Sequence, residues 1–370
     1  MRMSSIRHLP LREVANSLVG SRVIVVFLIA AGVVFGYRTG QFPPIPDVNL
    51  PVLYGLARWD SGYYMGIARL GYGAFANNRA YAFLPGFPLI LRQLYPLFFW
   101  LDTAPAEVMA GFVWNLVAVA LASVYLVRLT RLIIGPEVAN RTLALLAVYP
   151  STFFLSAIYP EATALLLIVA SLYYLERGKP LVAGPLGFLA GLVRPEGFLL
   201  SVPIFVKALS EKRKLRMILA SIIVFLSALT FAIFSYYTTG SLFTALQVTR
   251  AWPICSIFCF TNNPIFNLPF MINLLSIGLA TLFVVYSLVK PNASARTFPY
   301  YLWSFITIAI VFYVGEMRSW SRLMLVLPPV FWAQAEYSLT HPRLFQGLMV
   351  SYAVMMCLAT ILFVNWYSMV

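Results

Sequence analysis

Apolar residues run through this chain in long unbroken blocks, not at the three-to-four-residue spacing of a soluble amphipathic helix. The stretches 23–36 and 218–234 carry no charge at all. Several runs approach the roughly 20 residues that a hydrocarbon core requires. In that solvent every backbone N–H and C=O must be satisfied within the segment, so such runs predict helices. They lack the short alternating segments of a transmembrane barrel. The blocks place spans at 18–37, 108–127, 142–158, 162–175, 181–193, 198–205, 215–237, 268–289, 298–315, 323–335 and 345–366, about eleven in all.

The interruptions are as informative as the blocks. Segment 38–105 is rich in proline, glycine and aromatics, and its QFPPIPD run disfavours helix. Asp60 stands where it can cap a short amphipathic helix over 61–70 that stops at Gly71. The piece 82–101 is apolar but holds Pro85, Pro88, Arg92 and Pro96, which leaves it a span or a surface helix. The positive-inside rule arbitrates. If it spans, Arg128, Arg131 and Arg141 fall outside. If it lies on the outer surface, later loops alternate with the basic ones inside, and all five lysines, including the EKRK run at 211–214, face inward. The second placement is adopted. It gives one domain, 1–370, with a first outer loop at 38–105 and a helical bundle at 106–237. A second outer loop follows at 238–267, then C-terminal spans at 268–370. That second loop suits a lid over a site and equally suits a plain interfacial loop. No repeat of fixed period is present.

Composition supports the same class. The chain is 61% hydrophobic and 10% charged, against about a quarter charged in a soluble domain. Its net charge of +14 follows the inner loops, so it reads as an orientation signal, and no nucleic-acid partner is expected. The basic N-terminus (Arg2, Arg7, Arg12, Arg22) precedes an apolar run long enough to stay as an anchor. The two histidines, His8 and His341, lie in polar segments, so no histidine-based metal site and no cofactor are expected. Cys255 and Cys259 sit four apart in the second outer loop, as a disulfide in an oxidising compartment or as two buried thiols.

With this orientation Asp60, Glu161, Arg194, Glu196, Glu316, Arg318 and Arg322 gather at outer helix ends. Charges at membrane depth face a cavity or a partner, so both signs at one depth point to a polar cavity. A carboxylate there can take a proton from a hydroxyl, and arginine forks suit a leaving phosphate. Each residue also has a purely structural reading. Asp60 can be a helix cap paired to Arg58, Glu161 a favourable acid at a helix start, and Arg194 a partner of Glu196. Arg318 and Arg322, one turn apart, can bind headgroups or Glu316. The aromatics Tyr63, Tyr64, Tyr72, Phe75 and Tyr81 form an interfacial belt or stack on a sugar.

Four blocks in order resemble the phosphatidylinositol-glycan class V mannosyltransferases, a family of GT-C type glycosyltransferases. They are Trp59-Asp60 followed by Ile67-Ala68 and Gly71-Tyr72; Ala82-Phe83-Leu84-Pro85 with Pro88; Tyr149-Pro150 with Phe154 and the run Ser156 to Glu161; and Arg194-Pro195-Glu196-Gly197. The chain departs from the family pattern at Leu84, Tyr149, Pro160 and Pro195.

The resemblance implies an all-α polytopic GT-C-like bundle with its catalytic loop, carrying juxtamembrane helices, after the first span. It implies an inverting, metal-free transfer of a sugar, mannose in this family, from a polyprenyl- or dolichyl-phosphate donor to a glycan or glycolipid hydroxyl. Asp60 carries over as the base. Arg194, Arg318 and Arg322 are the candidate ligands of the donor phosphate, and Arg58, Trp59, Tyr63, Glu161 and Glu196 the candidate substrate contacts. The setting is a multi-pass protein of a bacterial inner membrane, or of the ER membrane in a eukaryote, with the site extracytoplasmic. Rival readings are a multi-span transporter or lipid flippase, and a non-catalytic subunit of the same fold.

Overall fold

The computed structural model describes residues 11–39, 51–210, 214–251, 264–290, 294–314 and 320–367. Among these residues every regular element is helical. In chain order they are α1 (Leu11–Thr39), α2 (Pro51–Tyr54), α3 (Ser61–Leu70), α4 (Gly86–Leu94), α5 (Thr103–Ile133), α6 (Pro136–Val148), α7 (Glu161–Glu176), α8 (Pro180–Val193) and α9 (Pro195–Phe198). Then come α10 (Ser201–Ser210), α11 (Lys214–Thr239), α12 (Thr244–Ala251), α13 (Pro264–Val289), α14 (Phe298–Val314), α15 (Trp320–Met324), α16 (Pro328–Thr340) and α17 (Pro342–Val364). Among the described residues four stretches, Thr103–Ile133, Lys214–Thr239, Leu268–Val289 and Pro342–Val364, are long and apolar enough to cross a membrane.

Three of the expected spans are not single helices, and proline accounts for two of them. The run 142–158 ends as helix at Val148, because Tyr149 adopts ψ 143° ahead of Pro150; a residue before proline is pushed out of the α region. The run 323–335 is divided by Leu325 to Leu327, with Leu327 at φ −107°, ψ 86° before Pro328. The run 198–205 is split between the end of α9 and the ten residues of α10, about 15 Å of helix. Segment 82–101 contains the nine-residue α4 and short 3₁₀ turns.

The pair α8 and α11 is packed on small residues. Facing α8, α11 presents Ala220, Val224 and Ser227, all buried, while Leu219, Ile222, Leu226, Leu229 and Ile233 on its other side are exposed. That inversion fits a lipid-facing helix, where close backbone approach and not apolar burial holds neighbours together. On α8, Gly184, Gly187 and Gly191 meet those three residues; a Cβ on Gly191 would lie 2.0 Å from Ser227 Oγ. The chain then folds back so tightly that a Cβ on Gly197 would sit 2.2 Å from the Ala190 carbonyl carbon. That neighbour is backbone and cannot swing away. Gly197→Ala should therefore destabilise the fold by about 1–3 kcal/mol, the usual range for overpacking, and a thermal melt in detergent checks this. At Gly86 a Cβ would lie 2.8 Å from the Leu192 carbonyl oxygen, so the start of α4 docks on the last turn of α8.

Between α6 and α7 the chain runs through 149–160 with every residue buried. Buried backbone outside a helix must find side-chain partners. Arg22 of α1 donates to the Thr152 carbonyl and to Thr152 Oγ1, both at 2.8 Å. Asn115 of α5 donates to the carbonyls of Ala157 (2.5 Å) and Tyr159 (3.0 Å). Ser151 Oγ donates to the Ser321 carbonyl at 2.8 Å, and the Ile158 N–H to the Leu56 carbonyl at 3.0 Å. This strapped segment delivers Tyr159 and Glu161 to one place.

Candidate active site

The turn ahead of α3 carries the first member of the site. Helix α3 starts at Ser61 and ends at Gly71, which takes φ 78°, as the sequence predicts. Asp60 occupies the N-cap position but makes no capping bond with its side chain. The Asp60 backbone is itself helical there (φ −58°, ψ −17°), whereas a capping residue takes non-helical angles. Its carboxylate meets Arg322 instead, with Nη1 3.0 Å from Oδ2.

Arg322 sits on α15, five residues pinned inside the bundle. The carboxamide oxygen of Asn273, on α13, accepts from the Ser321 N–H (3.0 Å) and Oγ (2.6 Å). From there Arg322 reaches a second acid, with Nε 3.3 Å from Glu161 Oε1. Its guanidinium also lies over the rings of Tyr159 (5.2 Å) and Phe154 (5.5 Å).

Glu161 Oε1 in turn accepts from Arg194 Nη1. Arg194 Nε and Nη2 donate to Glu196 Oε2 and Oε1, each at 3.1 Å. The result is a continuous chain of alternating charge: Asp60, Arg322, Glu161, Arg194, Glu196. Three carboxylates face two guanidiniums, which leaves one negative charge in excess. Glu161 is fully buried and Arg194 5% exposed, whereas Asp60 is 15% exposed. The aspartate is the solvent-facing end of the network.

The turn that presents Asp60 is strained and clamped. Trp59 adopts φ 56°, a left-handed conformation that a bulky residue avoids and that costs about 1–3 kcal/mol. Its ring contacts Trp366 at 5.4 Å between centroids, and Arg58 lies over the same Trp366 ring at 5.1 Å. Burial lowers the Arg58 guanidinium to about 10. Tyr159 closes the clamp: the Asp60 N–H donates to its hydroxyl at 3.1 Å, and that hydroxyl donates to the Arg58 carbonyl at 3.0 Å. Burial first, and the Asp60 charge second, push the Tyr159 phenol well above its ordinary range against the opposing pull of Arg322. It stays a protonated donor.

The structure thus brings together Asp60, Arg322, Glu161, Arg194 and Glu196, with Arg58 and Trp59 beside them. Tyr63 stands on α3 in a ring stack, 4.6 Å from Phe83 and 5.2 Å from Phe75. Glu316, Arg318, Cys255 and Cys259 lie outside the described residues. Among the described residues, Glu161 Oε2, Trp59 Nε1, Ser61 Oγ and Arg322 Nε are buried without a hydrogen-bond partner, the last making only its 3.3 Å ion-pair contact with Glu161. Among the described residues no group of three or more His, Cys, Asp or Glu side chains has the arrangement of a metal site. The sequence reading passed over Tyr159 and Trp366. Tyr159 had a signal, since it lies inside the Ser156–Glu161 block; Trp366 had none.

Comparison with known proteins decides the family. Residues 45–267 match the model of the mannosyltransferase (PIG-V) family. The chain belongs to that family. Similar PIG-V relatives include GPI alpha-1,6-mannosyltransferase 2 of Cricetulus griseus, 33% identical over 204 residues, covering 50% of this chain and 40% of that protein. The Homo sapiens protein of the same name is 32% identical over 204 residues, covering 50% and 41%. The match therefore spans less than half the length of these relatives. Among solved structures, Archaeoglobus fulgidus oligosaccharyltransferase in complex with Zn and sulfate aligns at TM-score 0.47 and 14% identity, covering 94% of this chain and 53% of that one.

Proposed function

We propose that this PIG-V family member is an inverting glycosyltransferase of GT-C type. It moves mannose from a polyprenyl- or dolichyl-phosphate donor to a hydroxyl of a lipid-linked or envelope glycan on the extracytoplasmic side of a membrane. The observation that carries the reading is the 3.0 Å pair of Asp60 and Arg322 at the solvent-facing end of a buried charge network. It sets a candidate base beside a candidate phosphate ligand, and family membership supplies the class of reaction.

In this reading the acceptor oxygen attacks the anomeric carbon and the bond from that carbon to the phosphate oxygen breaks. The electron pair leaves with the lipid phosphate, and the acceptor proton passes to Asp60. Attack opposite the leaving group inverts the anomeric centre. Arg322 holds the departing phosphate, for which its planar fork is suited, with Arg318 as a second contact. Arg194, another sequence candidate for the phosphate, has all three guanidinium nitrogens on carboxylates. Its proposed part is to hold Glu161 and Glu196, so that Glu161 keeps Arg322 aimed at the donor. Glu161 Oε2, Trp59 Nε1 and Ser61 Oγ, unpartnered among the described residues, are available to sugar or acceptor hydroxyls, with Arg58, Tyr63 and Glu196 around them.

Purified full-length protein given radiolabelled polyprenyl-phosphate mannose and membrane lipids should transfer label to a glycolipid fraction. No transfer from any lipid-linked sugar would overturn the reading. The side of the membrane is checked with single cysteines in a chain lacking Cys255, Cys259 and Cys357. A cysteine at Ala76, exposed on a 3₁₀ turn, should react with an impermeant maleimide from outside in intact cells. One at Ser210 should react only after permeabilisation.

A further inference from the structure

We infer that Tyr159 is the positioning residue of the reaction, setting Asp60 for proton transfer through the backbone. The inference rests on the assignment of Asp60 as base. Its hydroxyl sits between two backbone groups that flank a strained residue. It accepts from the Asp60 N–H at 3.1 Å and donates to the Arg58 carbonyl at 3.0 Å, while Trp59 between them is held at φ 56°.

A left-handed tryptophan persists only where its surroundings over-determine it. Here one hydroxyl ties the residue before it to the residue after it. The Ser61 N–H also donates to the Arg58 carbonyl at 3.2 Å, so the turn keeps a backbone bond when the hydroxyl is lost; what is released is the hold on the Asp60 N–H, and with it the aim of the Asp60 side chain at Arg322.

Tyr159 is itself rigid, which a positioning group requires. It is fully buried. Its backbone carbonyl accepts from Asn115 at 3.0 Å, and its ring is packed by Phe154 (4.8 Å), Tyr64 (5.9 Å) and Phe363 (5.9 Å). The same ring lies under Arg322 at 5.2 Å. One side chain thus fixes the base through a hydrogen bond and the phosphate ligand through a ring face. These two functions are separable by substitution. Tyr159→Phe keeps the ring, its neighbours and the contact with Arg322, and removes only the tie across the turn. The hydroxyl touches backbone alone, so its loss should act on kcat and not on donor affinity.

The test is steady-state kinetics of full-length protein with polyprenyl-phosphate mannose. Wild type, Tyr159→Phe, Asp60→Asn and a packing control, Phe363→Leu, are compared, each with a detergent melt. The expected result is at least a tenfold fall in kcat for Tyr159→Phe with donor KM within twofold. Phe363→Leu should keep kcat within twofold even where its melt falls further than that of Tyr159→Phe. If Asp60→Asn abolishes transfer while Tyr159→Phe holds kcat within twofold, the positioning role is overturned and the base assignment stands. If Asp60→Asn transfers normally, the base assignment falls and this inference with it. If Phe363→Leu loses kcat in proportion to its melt, as Tyr159→Phe does, the effect is packing and the inference is overturned. Should Tyr159→Phe fail to fold, Asn115→Asp, which removes the amide donor behind Tyr159, should lower kcat at constant donor KM. An unchanged kcat there overturns the inference too.

Discussion

Asp60→Asn should lower mannosyl transfer by about 100-fold or more, within the 10²–10⁴ range of general base catalysis, while leaving the protein folded. The charge network explains why folding survives. With three carboxylates on two guanidiniums, neutralising Asp60 leaves two of each. Arg322 still has Glu161 at 3.3 Å, and the Tyr159 hydroxyl still receives the backbone N–H of residue 60. The loss should therefore appear in kcat with a melting temperature no lower than wild type. Transfer at the wild-type rate by Asp60→Asn would remove Asp60 from the chemistry, whatever its melt.

Arg322 should behave differently, because it serves both the site and the fold. Arg322→Ala leaves Asp60 and two buried glutamates facing Arg194 alone. Removing one partner of a buried ion pair strands the other at about 3–5 kcal/mol. The variant should melt several degrees lower in detergent, and its donor KM should rise more than tenfold. Arg322→Lys keeps the charge, but a single ammonium cannot span Asp60 Oδ2 and Glu161 Oε1 as the guanidinium does through Nη1 and Nε. It should recover much of the melting temperature and little of the donor affinity. That split, read from melts and initial rates at varied donor, separates holding the fold from binding phosphate. An Arg322→Ala protein with unchanged donor KM would take Arg322 out of the phosphate site.

Much of this arrangement was legible in the sequence, though unevenly. Uninterrupted apolar runs located α1, α5, α7, α8, α11, α13, α14 and α17, because in lipid such a run has no alternative to helix. The same criterion overran Tyr149 and Leu327, where the run stays apolar but the following proline ends or interrupts the helix. Hydropathy sees the side chains there and not the lost backbone bonds. The rule that charges at membrane depth must meet a partner selected Asp60, Glu161, Arg194, Glu196, Glu316, Arg318 and Arg322 as a set, and the five among the described residues form one network. It did not give their order. Asp60 was paired with nearby Arg58 or with a helix amide in the local reading, whereas its ion-pair partner is 262 residues away. Only closure of the bundle brings α15 to the turn before α3. Tyr159 lay inside the Ser156–Glu161 block, but its role was not legible, because the partners of its hydroxyl are backbone groups of another segment.

The face of α11 turned toward α8 has a bearing on which sequences can fill this fold. The exposed side of that helix asks only for apolar bulk, so Leu219, Ile222, Leu226 and Ile233 are interchangeable with other large apolar residues. The inward side is a gauge of size: a Cβ on Gly187 would lie 2.5 Å from Val224 Cγ2 and one on Gly191 2.0 Å from Ser227 Oγ, with the Ala220 contact of Gly184 less tight at 3.1 Å. Substitution should thus be tolerated by chemistry on one side of the helix and by volume on the other. A glycine-to-alanine exchange on α8 would be more disruptive than a leucine-to-phenylalanine exchange on the outer side of α11. Helix α8 itself ends at Val193 because Arg194, ahead of Pro195, is extended (φ −149°, ψ 149°); the close seat of the two helices holds that end, and with it Arg194, in the bundle.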